Sequence, residues 1–140
     1  MAAWRQRKLL SPAQADALQS AMAAMHWREF SPLLSQAFAH QGYAVTALTQ
    51  GLADFKLTRQ GQTTLVCAKR WKAAAWGMDN LQALLSERDA HDASHLLCVS
   101  LQAMPHPLKS FATQHRVTWL AGQSLWALVA PVYTATLNKP

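Results

Sequence analysis

Three residues able to do chemistry fall close together in the middle of the chain. Asp54 lies in Gly51-Leu52-Ala53-Asp54-Phe55-Lys56-Leu57; Cys67 and Lys69 lie in Thr64-Leu65-Val66-Cys67-Ala68-Lys69-Arg70-Trp71. A carboxylate on one strand and an ammonium group on the next form the skeleton of a metal-dependent phosphodiesterase site. Such hydrolysis needs an activated water and a counter-charge for the developing negative charge. Mg²⁺ supplies both when carboxylate or carbonyl oxygens hold it. Asp54 is the candidate ligand, and Lys69 would orient or deprotonate the water. Where a second oxygen ligand is wanted, the chain has Cys67, a soft and usually protonated thiol poorly matched to Mg²⁺.

These groups meet only if two strands position them. Residues Leu52 to Thr58 alternate, with Ala53, Phe55 and Leu57 on one side and Asp54, Lys56 and Thr58 on the other. A third strand is expected from Thr63 to Trp71, with Gln60-Gly61 as the hairpin turn. That turn sets Arg59 opposite Gln62 and, by the same count, Asp54 opposite Cys67. Opposed residues share a face, and Lys69, two beyond Cys67, shares it too. A slip of one residue would scatter the trio. Arg70 and Lys72 take the opposite phase or lie just past the strand end. With Lys56 they are the candidate phosphate contacts, and surface charge without a partner is the alternative.

The rest of the chain supplies a frame. Ser11-Pro12-Ala13-Gln14 reads as a capped helix start. A second helix runs from about Trp27 to Gln41, with Phe30, Leu33, Leu34, Ala37 and Phe38 on one face and Gly42 ending it. Tyr43 to Leu48 is a first strand. Asp79 caps a third helix with Gln82 three residues on. Ser94 to Leu101 suits a buried strand, Pro105 to His115 a helix, Val117 to Leu120 a short strand, and Gln123 to Val129 a last helix; Pro131 and the tail read as irregular. The order α-α-β-β-β-α-β-α-β-α predicts an α/β fold, one mixed sheet with helices on both faces. The divisions are 1–25 (basic lead and helix), 26–130 (main domain) and 131–140 (tail).

Composition narrows the partners. The 140 residues carry 13 Lys and Arg against 7 acids, a net charge of +6. Between Leu52 and Trp76, Asp54 is the only acid, and none follows Asp92. Such a balance favours a polyanion, nucleic acid being the usual one. Cys67 and Cys98 read as reduced thiols, and with neither a membrane-length apolar run nor a secretion signal the expected location is cytoplasmic. His91 and His95 are four apart, but a zinc site there would need a helix and further ligands. Trp27, Trp71, Trp119 and Trp126 read as core aromatics. Trp76, beside Lys72, is the candidate exposed aromatic near bound DNA.

At these residues the chain resembles the Mrr-like branch of the PD-(D/E)xK restriction endonuclease superfamily. The resemblance runs from Trp27 to Val129. It rests on Trp27-Arg28-Glu29-Phe30 through Gly42-Tyr43, on Gly51-Leu52-Ala53-Asp54, on Leu65 through Lys69-Arg70-Trp71, and on Gly122 followed by Leu125. It implies a restriction-endonuclease-like fold, a metal-binding Asp54, a catalytic Lys69 and a Glu or Gln at the place held by Cys67. It also implies an acid at Ser31, which Glu29, two residues away around the helix, cannot replace. The expectation is therefore a DNA-binding domain with a degenerate site and weak or absent Mg²⁺ binding. Two alternatives stand beside it: a working Mg²⁺-dependent endonuclease, in which water or a backbone carbonyl near Ala68 replaces the ligand, and a protein-interaction domain on the same fold. A homodimer would suit cleavage of both strands. A membrane tether is expected only if the chain extends upstream of the basic lead Trp4 to Lys8.

Overall fold

The computed structural model of the chain describes residues 10–73 and 76–137. The basic lead Trp4 to Lys8 lies outside them. The elements are α1 (Pro12–Ala24), α2 (Trp27–His40), β1 (Ala44–Ala47), β2 (Phe55–Arg59), β3 (Gln62–Cys67), α3 (Met78–Ala90), β4 (His95–Val99), a 3₁₀ turn (His106–Leu108), α4 (Lys109–Gln114), β5 (Val117–Leu120) and α5 (Gln123–Leu137). They form an α/β fold around one five-stranded sheet in the order β1-β2-β3-β4-β5. The first three strands are an antiparallel meander; β3, β4 and β5 run parallel. Parallel neighbours need crossovers, and α3 and α4 provide them.

Both faces of the sheet are covered, so Leu65 to Cys67 of β3 and Leu96 to Val99 of β4 are continuous apolar runs. Leu57, Val66, Leu97 and Val99 pack on one side with Phe30, Leu34 and Phe38 of α2 and Leu125 and Leu128 of α5. Leu65, Cys67, Leu96 and Cys98 pack on the other with Leu81, Leu84 and Leu85 of α3. The site lies at one end of this second layer.

Local signals account for most boundaries. At α1 the Ser11 side chain accepts the Gln14 N–H at 3.2 Å and the Gln14 side chain accepts the Ser11 N–H at 2.9 Å. Gly42, at φ +95°, ends α2 in a conformation that glycine tolerates best. Gln60 and Gly61 take φ 54° and 78°, the two positive values of a type I′ hairpin turn. Arg59 pairs with Gln62, as the turn predicts.

Other expectations are corrected. β3 stops at Cys67, not Trp71, because the next two N–H groups leave the ladder for the Asp54 carboxylate. Ala53 packs in the layer of Cys67, away from Phe55 and Leu57, because β2 begins only at Phe55 and the alternation does not reach back to it. The N-cap of α3 is Gly77, and Asp79 sits in the first turn, where its charge suits the helix dipole. The helix expected from Pro105 to His115 is a 3₁₀ turn followed by the shorter α4. α5 does not end at Val129. It runs through Pro131 to Leu137, since Val132 and Tyr133 still pack on the core and offset the hydrogen bond that proline cannot make.

Candidate functional site

Asp54 is the residue immediately before β2, and its own N–H donates to the Val66 carbonyl at 2.7 Å. Val66 is already the partner of Phe55, so Asp54 and Phe55 share it as a bulge, and the ladder does not pair Asp54 with Cys67 as the turn count predicts. The Asp54 carboxylate then reaches the end of β3, where its Oδ2 accepts the N–H groups of both Ala68 and Lys69 at 2.7 Å. One oxygen thus caps the strand and turns the chain. Lys69 and Arg70 follow in an exposed turn rather than on a strand, closed by the Trp71 N–H on the Ala68 carbonyl at 3.1 Å.

These residues open on a cleft of about 470 Å³. Asp54, Cys67 and Lys69 all line it, so the expected trio does come together. The route differs for Lys69, which arrives through the turn and not through strand alternation. Arg70 lines the same cleft, against the opposite phase expected of it, because the chain has already left the sheet. Its guanidinium lies 5.7 Å from the Trp76 ring centroid. Lys72 goes elsewhere, its Nζ 5.1 Å from the Trp71 ring. Lys56 is half-buried on β2, across from Leu65. Ser31 looks into the cleft from α2, while the Glu29 side chain turns away and accepts the His26 N–H at 2.8 Å.

Trp76 is not the exposed aromatic the sequence suggested. It is 7% exposed, set edge-to-face against Trp119 with centroids 4.9 Å apart, and forms part of the cleft wall. Its indole Nε1 is buried without a hydrogen-bond partner among the described residues.

Sequence reasoning missed Glu87 of α3. Its carboxylate accepts the Leu52 N–H at 2.6 Å and the Ala53 N–H at 3.0 Å, holding the approach to Asp54 in place. Gly51 permits this grip. Its φ is +82°, and a Cβ there would lie 2.6 Å from Glu87 Oε1. A lone glutamate in the third turn of a helix carries no spacing signal, although the Gly51-Leu52 step does mark a loop that needs an anchor.

The electrostatics are those of a site built around one acid. Burial raises Asp54 above the usual carboxylate range, and the Glu87 charge adds to the rise. The Ala68 and Lys69 N–H bonds and the Lys69 ammonium oppose it. Burial, with the Asp54 charge behind it, pushes the Cys67 thiol up to about 12. Cys98, beside Cys67 on β4, is likewise raised by burial. At neutral pH both thiols are protonated, which suits small buried fillers rather than nucleophiles.

Asp54 carries a stability consequence. Its native carboxyl keeps its proton to a higher pH than the unfolded one. Its contribution is therefore greatest below the ordinary carboxylate pKa and is lost as pH rises through the raised native value. Asn keeps an acceptor for the two N–H groups without the charge. Asp54→Asn is expected to raise Tm by about 3 °C near pH 7 and to give no gain near pH 3. Thermal unfolding at both pH values checks this, and equal shifts would remove the desolvation argument.

The donor set can be tested against the Mg²⁺ that the resemblance implies. That ion wants near-octahedral oxygen coordination, usually with one or two protein carboxylates. Here Asp54 is one acid with an oxygen committed to two N–H groups, Cys67 is a neutral thiol, and the Ala68 carbonyl already accepts the Trp71 N–H. Among the described residues no group of three or more His, Cys, Asp or Glu is gathered to hold a metal. His91 ends α3 and His95 begins β4, with Nδ1 2.9 Å from the Ser94 hydroxyl. The residues present do not fit Mg²⁺.

A mixed five-stranded sheet between helical layers, with an acid and a lysine meeting beside its central hairpin, defines a restriction-endonuclease-like nuclease domain. Residues 22–129 match the family Mrr_cat, described as restriction endonuclease, and the chain belongs to that family. No curated protein and no solved structure matches the chain. No helix among the described residues is long and apolar enough to cross a membrane.

Proposed function

We propose that this chain is a DNA-binding domain of Mrr-like ancestry whose phosphodiester-cleaving site is degenerate. The observation that carries the reading is Cys67. Its side chain is 2% exposed, held protonated beside Asp54, and stands where the family pattern wants an oxygen ligand. Ser31 faces the same cleft in place of the second expected acid. Asp54 and Lys69 are the surviving site residues. Asp54 now orders the chain at the end of β3, and Lys69 offers a positive charge at the rim.

DNA is the partner this class implies, and the charge of +6 agrees with it. Lys56, Arg70 and Lys72 are proposed as phosphate contacts, Arg70 from the cleft mouth and Lys72 from the side of Trp71. Contacts of this kind give an affinity that falls with salt and is largely independent of sequence.

A plasmid nicking assay with Mg²⁺ or Mn²⁺, run beside Lys69→Ala, tests the degenerate site. No lysine-dependent nicking is expected, and clear nicking lost in the variant would restore a working endonuclease. DNA affinity measured across salt concentrations tests the partner. The logarithm of affinity should fall linearly with the logarithm of salt, and replacing Lys56, Arg70 and Lys72 together by alanine should flatten that slope by about 2 to 3. Absence of binding at low salt would favour a protein-interaction domain instead.

A further inference from the structure

We infer that the cleft beside Asp54 is a binding site for a single nucleotide unit, with the phosphate at Lys69 and Arg70, the base inside, and no divalent cation required. The inference deepens the DNA-binding proposal and rests on it only for the choice of nucleic acid as the anion. Three features of the cleft converge on such an occupant.

The first is size. About 470 Å³ lies within the range of small-ligand sites and is far more than a phosphate ion fills. The second is the distribution of chemistry. Lys69 and Arg70 stand exposed at the mouth, with the Arg70 guanidinium 5.7 Å from the Trp76 ring centroid. Within, Trp27 presents an aromatic wall, and Ser31 and Asn80 add polar side chains from two helices. The third is an unmet donor. The Trp76 Nε1 is buried with no partner among the described residues, a state that costs free energy and that a ligand acceptor would relieve if the ring turned toward the cleft on binding. Bases offer carbonyl and ring-nitrogen acceptors of that kind on their edges.

The altered catalytic position favours the same occupant. A neutral thiol at Cys67 adds no further negative charge to the cleft, and the Asp54 and Glu87 carboxylates are each held by two backbone N–H groups. Inorganic phosphate would leave the aromatic wall and the indole N–H unanswered. A purely apolar ligand would leave the indole N–H and both cations unanswered. A nucleotide answers all three.

The test titrates the full chain with the four nucleoside 5′-monophosphates in EDTA, by calorimetry and tryptophan fluorescence. At least one should bind with a Kd of about 1 mM or tighter, and inorganic phosphate about tenfold more weakly. Trp76→Phe keeps a ring but loses the donor, and should weaken nucleotide binding roughly five- to tenfold. Asn80→Ala, on a half-exposed helix position, gives a second measure should Trp76→Phe fail to fold. A duplex with one unpaired base identifies the source. Tighter binding than a fully paired duplex indicates a nucleotide extruded from a strand; equal binding indicates a free nucleotide. No nucleotide binding up to about 5 mM while the paired duplex binds would overturn the site and leave the DNA reading standing. Nucleotide binding without duplex binding would do the reverse. Unchanged affinity in both folded variants would also overturn the site.

Discussion

Replacing Trp71 with alanine is expected to cost about 3 to 5 kcal/mol of stability, a large share of the roughly 5 to 15 that a domain has. Trp71 is 4% exposed although it lies outside every helix and strand. Its ring stacks on Phe30 with centroids 4.6 Å apart and lies 5.8 Å from Trp27. Its indole N–H donates to the Met22 carbonyl at 3.1 Å, pinning the last turn of α1, and its own carbonyl accepts the Leu101 N–H at 2.8 Å. One side chain thus joins α1, α2 and the exit of β3. Alanine would leave a cavity and lose the bond to Met22. Trp71→Phe should recover most of the loss, leaving a deficit of about 1 kcal/mol for the missing indole N–H. Urea unfolding of the three proteins measures both steps. The consequence reaches the cleft, because Trp71 closes the turn that carries Lys69 and Arg70. A loss below about 1 kcal/mol for alanine would show that this turn is held by something else.

The parts of this fold that could be read from sequence are those fixed by local backbone demands. Gln60-Gly61 names its turn because few residues accept two successive positive φ values, and the turn then fixes the register from Arg59–Gln62 back to Phe55–Val66. Gly42 and the Ser11 capping box work in the same way. What could not be read depended on side chains reaching across the molecule. β3 ends at Cys67 because Asp54, just ahead of β2, captures the next two N–H groups. Alternation alone cannot foresee that, and Lys69 reaches the cleft through a turn rather than along a strand. Glu87 is 33 residues from Asp54 in sequence, and only the packing of α3 brings it to the loop at Leu52 and Ala53. Trp76 looked exposed because its neighbours are Lys72 and alanines, yet Trp119 on β5 buries it.

Placing an acid at position 67 should have the largest functional effect of any single change. Cys67→Glu sets a third carboxylate beside Asp54 and within the field of Glu87, in a place already buried enough to raise both Asp54 and the native thiol. Without a cation the variant is expected to lose about 2 to 4 kcal/mol, the cost of an unpaired charge in a packed layer. Oxygen ligands in that arrangement are what a hard divalent ion seeks. Adding Mn²⁺ or Mg²⁺ at about 100 times its Kd should return about 2.7 kcal/mol. The wild-type Tm should stay where it is under the same additions, because its donor set is one acid and one protonated thiol. Thermal unfolding with and without metal reads this without any reference to activity, and the nicking assay on the same samples then asks whether Lys69 can act once an ion is held. A metal-dependent Tm in the variant with no nicking would place the remaining defect at Ser31, the other position where the cleft lacks an acid. A variant whose Tm ignores metal would mean that Asp54, tied to Ala68 and Lys69, is not free to serve as a ligand, and the obstacle to metal binding would then lie in the backbone as well as in the side chain at 67.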